Sequence, residues 1–199
     1  MLLEQLKCTK QKCLSYGEYR NYIQQLVENQ STSGNEKTEE RINFTMLNDR
    51  RMKRLEKTIT VPETIKERLS RFNEKVTWLV LVETWCGDAA QVLPVIQKIA
   101  ELNDGIRLRV LLRDKNEALM DQFLTNGARA IPKLIMIDSN TEEVIDTFGP
   151  RPSAITKIVE DYKRIHGKIT PEFKEEIQRW YNNDKGQTIM EDLMSLLSV

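Results

Sequence analysis

The chain has 199 residues, 40% of them hydrophobic and 30% charged, which is enough for one ordinary packed domain with sizeable extensions. Thirty basic residues balance thirty acidic ones, so there is no basic excess of the kind a general nucleic-acid binder carries. Mean hydropathy is −0.50, and the longest apolar run, residues 79–82, has the length of a strand and not of a membrane span. Charges interrupt residues 1–7 early, which argues against a signal peptide and for a cytoplasmic protein. In that compartment Cys8, Cys13 and Cys86 are expected as thiols, not as a disulfide framework.

Apolar residues at helical spacing (Tyr19, Tyr22, Ile23, Leu26) predict a helix over residues 16–28. Residues 29–35, Asn-Gln-Ser-Thr-Ser-Gly-Asn, read as a loop. A second helix is predicted from Thr38 to about Lys57, with Met46 and Met52 as packing residues, and a third over 63–72 behind Pro62. The pattern then changes to alternation. Strands are predicted at 76–83, 106–113, 133–138 and 144–148, and helices at 88–103, 116–126 and 153–166. Residues 139–143 join the last two strands as a hairpin-like turn. The order βαβαββα implies an α/β fold, a mixed sheet with helices on both faces. Two further helices are predicted at 171–180 and 188–197. The expected divisions are an N-terminal helical extension (1–61), a central domain (62–167) and a C-terminal helical extension (168–199).

The chemistry concentrates where the first strand ends. An apolar β-branched run leads into Thr84-Trp85-Cys86-Gly87-Asp88-Ala89, and a helix pattern follows at once. Cys86 therefore falls at a helix N-terminus, where unpaired N–H groups and the helix dipole favour a thiolate. Other groupings carry less. The pair Cys8 and Cys13 lacks the four ligands that zinc normally takes, and His166, the only histidine, lies far along the sequence, so no metal site is expected. Arg50, Arg51, Lys53 and Arg54 spread around a helix and read as a solvated face.

Several separated signals together resemble the thioredoxin superfamily. Trp85-Cys86-Gly87 matches the start of the family's Trp-Cys-Gly-Pro-Cys site. Pro94 sits where the family's active-site helix carries a proline, and Ala130-Ile131-Pro132 precedes a strand as the family's cis-proline segment does. Gly149 follows the hairpin strand at a family glycine position. Residues 47–57 and Trp180-Tyr181 resemble helical extensions on a bacterial subgroup of the superfamily. Three positions depart from the dithiol pattern: Asp88 stands for its proline, Ala89 for its resolving cysteine, and Val80 for its buried aspartate.

The resemblance implies thiol–disulfide chemistry, with Cys86 as nucleophile and Trp85, Ile131 and Pro132 as the seat for an extended peptide. Without a sulfur at Ala89, an external thiol must release any mixed disulfide; the expected partners are protein thiols or disulfides and a low-molecular-weight thiol. Cys8 or Cys13 would serve only if the N-terminal segment folded over the site. No cofactor is expected. Local terms oppose each other at Cys86, since the helix end lowers its pKa and Asp88 raises it, and a moderately acidic thiol is the expectation. The alternatives are a non-catalytic thioredoxin-fold binding module and iron–sulfur carriage as in single-cysteine glutaredoxins, whose Cys-Gly-Phe-Ser pattern Asp88 and Ala89 do not follow. The outer helices, with Tyr19, Tyr22, Trp180 and Tyr181, suit either self-association or packing on their own domain.

Overall fold

The computed structural model describes residues 13–199; Cys8 lies outside them. Its centre is a four-stranded mixed sheet in the order β2-β1-β3-β4, made of β1 (Val76–Val82), β2 (Ile106–Leu112), β3 (Lys133–Asp138) and β4 (Val144–Phe148). β1 runs parallel to β2 and antiparallel to β3, and β3 pairs antiparallel with β4. The parallel pair needs a crossover, which α4 (Gly87–Ala100) supplies; the tight 139–143 turn makes the antiparallel one. Residues 76 and 78–82 of β1 are buried, so this strand is covered on both faces. Val80 is fully enclosed, in keeping with its apolar character.

Around the sheet lie α1 (Tyr16–Glu28), α2 (Glu39–Thr58), α3 (Glu63–Leu69), α5 (Glu117–Met120), α6 (Ser153–His166), α7 (Pro171–Asp184) and α8 (Gln187–Leu196). α1 begins in a capping box: Ser15 Oγ accepts the Glu18 N–H, and the Glu18 carboxylate accepts the Ser15 N–H. Its Tyr19, Ile23 and Leu26 face the core as the spacing predicts. α2 is bound to α1 by charge as well as packing, since Arg20 pairs with Asp49 at 3.0 Å and with Glu56 at 2.7 Å.

The flanking helices pack back on their own chain. Tyr19, Ile23 and Met52 from one flank, and Phe173, Ile177, Tyr181, Ile189, Met190, Leu193 and Met194 from the other, join one hydrophobic core with the sheet and α4. α8 lies against α3, α4, α6 and β4. Among the described residues, no helix is long and apolar enough to cross a membrane.

The predicted helix over 116–126 is the main correction. Only Glu117–Met120 is helical, after a 3₁₀ turn at Arg113–Lys115. Asn126 and Gly127 both take positive φ, and Thr125 and Ala128 bridge to each other, so the chain reverses there. Arg129 fastens the reversal through Asp121 and Glu117, each at 2.6 Å.

Candidate functional site

β1 delivers residues 83–86 to the start of α4, and Cys86 is the N-cap of that helix. The Ala89 N–H points to Cys86 Sγ at 3.5 Å, which is the helix-end placement that the sequence predicts. On its other side Sγ lies 3.3 Å from the Ile131 carbonyl oxygen, so the S–H donates there. The Ile131–Pro132 peptide is cis. The structure therefore brings Cys86, just beyond the end of β1, together with the Ile131-Pro132 segment that leads into the neighbouring strand β3.

Gly149 fixes that segment from behind. It holds φ +109, and a Cβ there would stand 2.3 Å from the Pro132 carbonyl oxygen. Only a residue without a side chain fits.

The ionisation expected of Cys86 is overturned. Its side chain is buried, with 8% of the residue exposed, and its pKa is pushed up from 9.0 to about 12. Burial is the main cause and the Asp88 charge the next; the Ala89 and Asp88 N–H groups and Arg151 pull the other way without winning. The donated S–H bond to Ile131 acts in the same direction, because it exists only in the neutral form. The helix end is worth only ~0.3–1 kcal/mol and cannot offset such burial.

Asp88 explains much of the enclosure. Its carboxylate pairs with Arg151 at 2.7 Å and accepts the Tyr181 hydroxyl at 3.0 Å. Burial still holds the Asp88 pKa above the usual carboxylate value, against the pull of Arg151 and Tyr181. The residue in the family's proline position thus ties the start of α4 to the 149–152 turn and to α7. Gly87 is overhung in turn: a Cβ there would lie 3.4 Å from Gln178 Nε2 and 3.5 Å from Arg51 Nη1. Ala89 is buried beneath and leaves no second sulfur at the site.

Trp85 is half-buried, and arginines occupy its neighbourhood. The guanidinium carbons of Arg41 and Arg113 lie 4.5 and 5.2 Å from its ring centroid. Gly34 holds φ +86, and a Cβ added there would stand 3.1 Å from Trp85 Nε1. The ring is therefore no open platform. Ile131 is 7% exposed and Pro132 is buried, so the expected peptide seat is shut as the protein stands.

Sequence reasoning missed the polar plug beside this turn. Residues 29–35, expected as a plain loop, send Thr32 and Ser33 into the interior. Ser33 Oγ donates to the buried Glu83 carboxylate and accepts the Thr84 N–H at 2.8 Å. The Ser33 N–H donates to Thr84 Oγ1 at 3.1 Å, and the Asp114 N–H reaches Glu83 at 2.9 Å. Thr45 meets both Thr32 (2.7 Å) and Thr84 (3.0 Å), and Asn48 donates to the Thr84 carbonyl at 2.9 Å. Burial raises the Glu83 pKa although two donors point at it. The available signal was a pair of polar residues, Glu83 and Thr84, closing an otherwise apolar strand: their hydrogen bonds had to come from somewhere.

Cys13 sits next to Leu14, which pairs with Val110 on the edge strand β2. Among the described residues, no cluster of three or more His, Cys, Asp or Glu could hold a metal.

A cysteine capping the helix after the first strand of a mixed sheet, set against a cis-proline that leads into the neighbouring strand, defines a thioredoxin-like fold. The chain belongs to the thioredoxin family, whose model matches residues 34–163. It is similar in fold to a protein of unknown function from Pseudomonas aeruginosa, at 19% identity and TM-score 0.61, over 93% of this chain and 98% of that one. An HIV epitope scaffold matches at 21% identity and TM-score 0.56, again over 93% and 98%. At such coverage the likeness takes in flanking helices as well as the central sheet. Comparison with curated proteins gives no match.

Proposed function

We propose that this chain is a single-thiol thioredoxin-family protein that acts on protein disulfides or mixed disulfides through Cys86, with an external thiol completing each cycle. The observation that carries this reading is the position of Sγ, held between the Ala89 N–H and the Ile131 carbonyl next to cis-Pro132. An attacking sulfur and the backbone segment that would pair with an extended peptide stand side by side, and both must be uncovered before a peptide can reach them.

The chemistry has two exchanges. Cys86 gives up its proton to solvent, and the thiolate attacks one sulfur of the target disulfide. A Cys86–target disulfide forms and the other target sulfur leaves as a thiolate, which takes up a proton. A second, external thiolate then attacks the target's sulfur in that bond and expels Cys86 as its thiolate. Overall the target disulfide is reduced by one equivalent and a target–external thiol disulfide results. Ala89 provides nothing to shorten this route.

Burial and the raised pKa favour a second reading, a non-catalytic binding module built on the same fold. One comparison separates the two. Wild type and Cys86→Ser are given an oxidised protein reporter with excess small thiol, and reduction is followed above the uncatalysed rate. Turnover present in wild type and lost in the variant supports the single-thiol enzyme. Equal turnover in both removes Cys86 from the chemistry and overturns the reading, and no turnover in either overturns it in favour of the binding module.

A further inference from the structure

We infer that α7 is a releasable cover over the Cys86 turn, so that the thiol is held shut by this flanking helix and exposed when that helix lifts. The inference concerns regulation of the proposed site and rests on the single-thiol reading for its purpose, though not for its geometry.

Two α7 side chains three positions apart, and so on one face of the helix, engage the turn. Gln178 overhangs Gly87 and accepts the Gln91 amide at 3.0 Å; Tyr181 donates to Asp88 at 3.0 Å. The residues flanking the thiol on its helix, 87, 88 and 91, are thus all met from α7.

α7 is held chiefly through its side chains. Its backbone comes close to other elements at few points, and it is held by the side chains of Phe173, Ile177 and Tyr181 and by an exposed Arg54–Asn182 bond of 2.6 Å. Both ends are backbone pivots. Gly167 takes φ +76 with no atom near its Cβ position, and Lys185 and Gly186 take φ +55 and +81. Beyond the second pivot the chain is anchored. A Gly186 Cβ would press on Val95, and Ile189, Met190, Leu193 and Met194 are at most 1% exposed. A helix tied by side chains between two pivots, next to a firmly buried one, is a local unit that can open below the cost of global unfolding. Asp88 is the latch. It sits where the family keeps a proline, and a proline could not receive Tyr181.

The test follows labelling of Cys86 by iodoacetamide, read on its own peptide by mass spectrometry, in the full chain at fixed pH and rising urea below the unfolding transition. When opening is fast relative to labelling, the rate scales with the open population. Tyr181→Phe removes a hydrogen bond to a charged group and is expected to raise the rate about ten- to a hundredfold. Gln178→Ala is expected to raise it about three- to tenfold. Arg179→Ala, on the exposed side of α7, should leave it unchanged. The urea dependence of labelling in wild type should be well below that of global unfolding, because only α7 is exposed. Two results overturn the cover: rates unchanged in both Tyr181→Phe and Gln178→Ala, or labelling that rises with urea as steeply as global unfolding. Faster labelling without reporter turnover would sink the enzyme reading and leave the cover intact. Turnover with unaltered labelling would do the reverse.

Discussion

Replacing Cys86 by alanine should make the protein less sensitive to alkali, by an amount set by how strongly folding opposes ionisation of this thiol. Its pKa rises from 9.0 to about 12 on burial. A group whose pKa is raised by folding stabilises the native state fully below its unfolded pKa, and loses that contribution as pH climbs toward the folded value. The window is therefore pH 9 to 12. Three pKa units correspond to about 4 kcal/mol in total, at 1.36 kcal/mol per unit. At pH ~10.5 the unfolded chain has released nearly all of this proton while the folded chain keeps it, and the accumulated loss is about 2 kcal/mol. Tyr16, Tyr19 and Tyr181, also raised by burial, contribute alike in both proteins as long as Cys86 stays neutral in the folded chain, which it does through this range. The loss of the sulfur's packing and cap adds an offset that does not vary with pH. The assay is urea unfolding of wild type and Cys86→Ala at pH ~8 and ~10.5. The stability gap should change by about 2 kcal/mol in favour of the variant at the higher pH. A gap that stays constant would mean the thiol titrates alike in both states, and the argument from burial would be wrong.

Gly149→Ala should cost at least about 3 kcal/mol in urea unfolding, because its Cβ would stand 2.3 Å from the Pro132 oxygen at φ +109; a cost below 1 kcal/mol would refute that packing. Ser33→Ala strips the buried Glu83 carboxylate and the Thr84 N–H of a shared partner, and a loss of about 3 kcal/mol is expected by the same measurement. Glu83→Gln should be more stable than wild type at pH 7, since burial raises the Glu83 pKa and the native state bears the cost of its charge. That advantage should shrink as pH falls toward 4 and Glu83 gains its proton; an advantage that grew instead would refute the assignment.

Much of this architecture is legible from residue pattern. The β-branched run at 76–82, the helix beginning at Gly87, and the hairpin pair 133–138 and 144–148 follow from periodicity and turn chemistry, which are local properties. The juxtaposition of Cys86 with Ile131-Pro132 is legible only through family resemblance, since nothing local links residues 45 positions apart. Two features were invisible for the same reason. The helix predicted over 116–126 stops at Met120 because Arg129, outside the window, draws Asp121 and Glu117 into a turn closed by Asn126 and Gly127. The ionisation of Cys86 depends on what lies above it, and α7 arrives from nearly a hundred residues further on. Asp88 reads in the sequence as a charge that disfavours the thiolate. In the fold it also binds the helix that hides it.

The central claim is a closed, neutral thiol at a thioredoxin-family site, and the pH profile of Cys86 alkylation in the native protein tests it most directly. The rate should keep climbing through pH 10 with no plateau, as expected of a thiol whose pKa lies near 12. A plateau reached by pH 9 or below would show an exposed, activated cysteine and contradict the account.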